Sequence, residues 1–163
     1  VTAYDASEWT DLFVAAAGAS AALAGLLFVA VSINIDRILA FEGLPDRALQ
    51  TLIQLLAMVV FSLLVLAPGQ ATATLGIELL VFAVPLTVAS FALIRRSLRA
   101  TGLGSGLDVR QLVVAAGTLP FVLAGLSLIA ETGGGIYWVF AGIVLALIGA
   151  VLNAWVLLVE ILR

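Results

Sequence analysis

Long apolar runs separated by short polar breaks set the pattern of this chain. Five runs approach the ~20 residues that a helix needs to cross the hydrocarbon core of a bilayer. They extend from about Leu12 to Asn34, Arg47 to Ala67, Thr72 to Ile94, Val109 to Ala130 and Ile136 to Ile161. Each is too long for a tilted barrel strand of roughly 10 residues, and none sustains the alternation of such a strand. Alternation does occur locally, at Ser32-Ile33-Asn34-Ile35-Asp36-Arg37. There the helical face of the first run continues through Ser32 to Asp36, four residues on, so the stretch reads as a helix leaving the membrane. The breaks carry turn chemistry. Ala67-Pro68-Gly69-Gln70 suits a type II turn, Glu131 to Gly135 reads as a tight glycine turn, and Asp46 after Pro45 is a candidate N-cap for the second run. The pattern predicts an all-α fold: one transmembrane domain over residues 1–163, built as a bundle of five helices.

Composition strengthens this reading. The chain is 64% hydrophobic and 10% charged, against roughly 45–50% and about 25% in an ordinary soluble domain. It contains no Cys, His or Lys. That removes disulfides, thiolates, the commonest metal ligand, the usual general base and any Schiff-base lysine. The expected class is therefore a non-enzymatic integral membrane protein, with no catalytic residues, cofactor, metal or nucleic-acid partner. The acidic start, Val1 to Asp11, lacks the positive charge of a cleaved signal peptide.

Arginine predicts orientation. With five spans, Arg37, Arg47, Arg95, Arg96, Arg99, Arg110 and Arg163 all fall on one side, opposite Asp5, Glu8, Asp11 and Glu131. The positive-inside rule then places the N-terminus outside and the C-terminus in the cytoplasm. Tyr4, Trp9, Tyr137 and Trp138 fall at the outer edge and Trp155 toward the inner one, where amphipathic rings favour the interface. Arg95, Arg96 and Arg99, in an inner loop that continues as a glycine-containing linker, are candidates for anionic lipid headgroups.

Transmembrane helices associate through small residues and polar contacts, because lipid is as apolar as leucine. Two faces carry the required spacing. Ala15, Gly18, Ala22, Gly25, Val29 and Ser32 line one face of the first span; Gly142, Ala146, Gly149 and Asn153 line one face of the fifth. They would pack on each other, on neighbouring spans, or on another copy. Asn34, Gln50, Gln54, Ser90, Gln111 and Asn153 all fall in the inner half of the membrane. They read either as interhelical hydrogen-bond partners or as the wall of a polar cavity. Glu78, two turns into the third span, is costly at that depth and so a functional candidate. It would snorkel outward, sit protonated beside a hydroxyl, or handle protons or cations beside a kink at Pro85.

The stretches "FVAAAGASAALAGLLFVAVSINIDRIL", "LPDRALQTLIQLL" and "LAPGQ" resemble a family of small multi-spanning inner-membrane proteins of high-GC bacteria, some of them labelled modulators of a membrane protease. The resemblance covers about the first 70 residues. It implies a bacterial cytoplasmic membrane and no established activity. Short loops, small-residue faces and the lack of a catalytic constellation favour an accessory or assembly subunit docking on a larger membrane complex. The alternative is a small homo-oligomeric channel or transporter with Glu78 and the inner polar residues on its pathway. The expected partners are the bilayer, its anionic headgroups, and other membrane subunits or the chain itself.

Overall fold

The computed structural model describes residues 3–41, 44–100 and 109–162, with 93–94, 96–100, 109–116 and 156–162 described by their backbone alone. Among the described residues every regular element is helical. A 3-10 turn, Ala6–Trp9, leads into α1 (Thr10–Ile33); α2 (Ile35–Ala40), α3 (Leu44–Leu66), α4 (Thr72–Ala100), α5 (Val109–Ala130) and α6 (Ile136–Leu162) follow.

Local chemistry sets the ends. Asp5 caps the 3-10 turn, accepting from the Ser7 amide at 3.0 Å and the Ser7 hydroxyl at 2.6 Å. The Ser7 hydroxyl first, and then its amide, favour the ionised carboxylate and hold Asp5 below its ordinary value. The first span does not run unbroken through Asp36, as its sequence predicts. Asn34 leaves helical geometry (φ −109°, ψ 21°) and α2 begins anew at Ile35. The Asn34 amide folds back and donates to Ala30 O at 2.9 Å, meeting one of the carbonyls that a helix end leaves unpaired.

α3 starts at Leu44, before the expected Arg47. Pro45 and Asp46 therefore lie in its first turn, and Asp46 is not the N-cap. Its carboxylate there still complements the positive end of the helix dipole. The Pro68-Gly69 break behaves as predicted, with Gly69 at φ +73° in the position where a type II turn needs it. α4 runs on to Ala100, so Arg95, Arg96 and Arg99 lie on a helix and not in a loop. Pro85 and Pro120 sit inside α4 and α5. The glycine linker, Thr101 to Asp108, lies outside the described residues.

Among the described residues, four helical stretches are long and apolar enough to cross a membrane: Ala6–Ile33, Leu44–Leu66, Thr72–Ala92 and Ile136–Trp155. The described part of α5, Gly117–Ala130, is apolar but shorter.

α3 is the hub of the bundle. It packs on α1, α6 and α4, while α5 lies between α4 and α6. α1 and α6, a possible parallel pair from their sequences, barely meet. In the core, Phe61 of α3 stacks on Phe121 of α5, with ring centroids 4.2 Å apart. The ring of Phe121 also fills the space over Gly142 of α6. One layer along, Gln54 of α3 lies against Gly117 of α5, which in turn lies against Ala146 of α6. On the far side of α5, Gly125 meets Gly76 of α4 so closely that an added Cβ would lie 2.8 Å from Gly76 O. Small residues thus set the backbone separations.

Candidate functional site

Three places in the bundle hold the residues that the sequence singles out. The first is the pair of small-residue faces. On α6, Gly142, Ala146 and Gly149 are buried. On α1 the corresponding positions are all exposed: Ala15, Gly18, Ala22, Gly25, Val29 and Ser32. A Cβ added at Gly18 or Gly25 would meet nothing within 4 Å. α1 turns its other face inward, burying Phe13, Ala16, Ser20 and Leu27. Its close-approach surface is left uncovered, flanked by Leu26 and Phe28.

The second place is the polar layer within the bundle. Gln50, Thr51, Gln54, Ser90 and Thr118 are buried, and Asn153 is half-buried. Thr51 is satisfied within its own helix, donating to Arg47 O at 2.8 Å. Gln54 is not satisfied. It is 6% exposed, and neither its amide nitrogen nor its carbonyl oxygen has a hydrogen-bond partner. Gly117 leaves room for this side chain, since a Cβ there would collide with Gln54 Nε2. Asn34 is bound to its own helix, its amide donating to Ala30 O. The Gln111 side chain lies outside the described residues.

The third place is the N-terminal end of the bundle. Glu78 does not join the inner polar residues. It accepts from Gln70 Nε2 at 2.7 Å, so the half-buried acid is tied to the Pro-Gly-Gln turn that precedes its helix. A carboxylate can only accept here, which fixes the Gln70 amide with its nitrogen toward Glu78. The Gln70 carbonyl oxygen is then left buried without a donor. The sequence offered one sign of this tie, a long polar side chain eight residues before an isolated acid.

The same end is stitched by the segment before α1. Ile136 N donates to Ala3 O at 2.8 Å and Gly134 N donates to the Tyr4 hydroxyl at 3.2 Å. Gly133, Gly134 and Gly135 all have positive φ. Any side chain at Gly135 would collide with Ala3 O, so glycine is required there for two reasons. Ser127 ties the loop from beneath, donating to Thr132 O and accepting from Gly135 N. Trp9 meets Tyr137 edge-on at 4.7 Å, so two aromatic pairs that the sequence assigned to separate helix edges share one cluster. A cavity of about 430 Å³ opens between this segment and the α3–α4 turn.

Arg95 is exposed, and the side chains of Arg96 and Arg99 lie outside the described residues. Among the described residues no group of His, Cys, Asp and Glu is placed to hold a metal ion.

Helices of this length and apolarity, packed through glycine and alanine, define an all-helical membrane protein. No protein-family model matches the chain, and neither the curated proteins nor the solved structures contain a match.

Proposed function

We propose that the chain is a multi-pass protein of a bacterial cytoplasmic membrane and a non-enzymatic accessory or assembly subunit, docked laterally on a larger membrane complex. Its five spans run with the N-terminus outside and the C-terminus in the cytoplasm. The uncovered face of α1 carries this reading. Gly18, Ala22 and Gly25 have the spacing that lets two helix backbones approach closely, and among the described residues no other helix covers them. A helix of another membrane protein would gain on that face the close packing that α6 gains from α5. Purification of the tagged protein from native membranes tests the reading. Another membrane protein should co-purify in fixed ratio, and Gly18→Leu should release it. A chain that emerges alone refutes the proposal.

A second reading is a small homo-oligomeric channel or transporter. Gln54 favours it, because an amide with both ends unpartnered inside a membrane bundle needs water or a passing solute. Flux through proteoliposomes would have to fall with both Gln54→Leu and Asn153→Ala. Absent or unchanged flux removes this reading.

A further inference from the structure

We propose that the half of α5 before Pro120 swings away from α3 and α6, and that this swing lets water reach Gln54. The bundle then alternates between the closed packing of this structure and a hydrated form. The device is independent of the docking proposed for α1, and it asks less than transport, since the water need not cross.

The closed packing leaves Gln54 of α3 in a costly place. Its side chain is buried, and both amide atoms lie out of reach of solvent without a hydrogen-bond partner. An unpaired amide in a low-dielectric interior raises the energy of the form that buries it. The Gln54 nitrogen packs against Gly117 of α5, which lies on Ala146 of α6. The peptide that joins Ala116 to Gly117 has a deficit of its own. Pro120 carries no amide hydrogen, so the Ala116 carbonyl lacks the donor that a helix would supply. In membrane helices such carbonyls are met by neighbouring side chains or by water. Two groups that call for water thus fall in one layer, where three helices join.

Pro120 also divides α5 mechanically. Beyond it the helix is interlocked. Phe121 stacks on Phe61 and fills the space over Gly142, and one turn further Gly125 closes on Gly76 of α4. Before it, Gly117 lies between Gln54 and Ala146 and brings no side chain to interlock. A proline is where a helix bends, and Pro120 is buried between these two halves. Bending there leaves the interlocked half in place and opens the glycine layer. The relief of Gln54 then sets how far the equilibrium leans toward the hydrated form.

The chain contains no cysteine, so an introduced one is the only thiol. Ala146→Cys places it opposite Gly117, and Ala124→Cys places it on the interlocked half of α5; both positions are fully buried. With the full chain in nanodiscs, a charged methanethiosulfonate reagent reports which thiol water reaches. Ala146→Cys should react at least about tenfold faster than Ala124→Cys, and adding Gln54→Leu should slow it by about tenfold, as expected when an unpaired buried amide is removed. Pro120→Ala, which restores the donor to the Ala116 carbonyl and stiffens α5, should slow it too. Hydrogen exchange on the cysteine-free chain is the second measurement, should Ala146→Cys disturb the fold. Amides from Gly117 to Leu119 should exchange faster than those from Leu123 to Leu126, and Gln54→Leu and Pro120→Ala should each narrow the difference. Equal reaction of the two thiols, equal exchange of the two segments, or a difference that either Gln54→Leu or Pro120→Ala leaves unchanged overturns the proposal.

Discussion

Two helices of this bundle carry nearly the same face, and the fold treats them oppositely. Gly142, Ala146 and Gly149 on α6 are buried, whereas Gly18, Ala22 and Gly25 on α1 are exposed. Spacing does not separate them, since both faces step by three and four residues. The difference lies in what is presented to them. α5 offers α6 the ring of Phe121 opposite Gly142, and its own Gly117 opposite Ala146. Knob and gap alternate there, and the backbones close together. α1 packs mainly on α3, and the face it buries carries Phe13 and Leu27, so its glycines are turned away. Small residues thus record that a helix can be approached closely; whether it is depends on a partner that fits the gap, as Phe121 fits Gly142.

The sharpest way to break this comparison is to fill the gaps. A methyl group at Gly142 would lie 2.9 Å from the Phe121 ring, and one at Gly125 would lie 2.8 Å from Gly76 O. Gly142→Ala and Gly125→Ala should each destabilise the bundle by about 1–3 kcal/mol, with Gly125→Ala the worse because a backbone carbonyl cannot rotate aside. Gly18→Ala and Gly25→Ala should change the stability of the isolated chain by less than about 0.5 kcal/mol. Thermal or denaturant unfolding in one detergent checks all four. Equal losses on α1 and α6 would mean that the α1 face is not open.

Gln54 comes next, with the opposite sign. A buried amide with neither end paired carries a desolvation cost that leucine does not. Gln54→Leu should be neutral or should stabilise the bundle by about 1–2 kcal/mol. A clear loss of stability would show that the amide is satisfied in the membrane. Glu78→Gln should cost no more than about 1 kcal/mol by the same assay, the range of one hydrogen bond that solvent can partly replace.

The smallest effect belongs to Asp5. Its carboxyl lies below the ordinary value, so its capping contribution is fully present above that value and is lost as pH falls through the lowered one. The protection factor of the Ser7 amide, its exchange measured against the intrinsic rate at each pH, should fall only in that acid range, and Asp5→Ala should remove that change.

Much of the architecture is legible in the sequence, because apolar length and glycine-proline punctuation act locally. The Pro68-Gly69 turn, the Glu131 to Gly135 turn and the start of α6 at Ile136 all stand where the pattern puts them. The misses all lie at helix ends, where local chemistry outweighs periodicity. Asn34 reaches back to Ala30 and stops α1. Pro45 suits the first turn of a helix, where its missing amide costs nothing, and α3 therefore begins before Asp46. Nor does hydropathy show that the helix of α4 continues past the apolar run to carry Arg95, Arg96 and Arg99.

The site is less legible than the fold. Glu78 stands out from its surroundings, but its tie to Gln70 depends on a turn folding back over the helix. Grouping Asn34 with Gln50 and Gln54 by depth ignored direction: Asn34 faces its own helix. The choice between the two small-residue faces required knowing where Phe121 lies, a residue more than eighty positions beyond the end of α1 in the chain.

The measurement that bears most directly on the account places a photocrosslinking side chain at Ala22, on the open face of α1, and another at Leu63, an exposed position on α3, each in native membranes. The account predicts one discrete adduct between Ala22 and another membrane protein, and only lipid adducts at Leu63. Lipid adducts alone at both positions, or adducts at Ala22 only between copies of this chain, would contradict it.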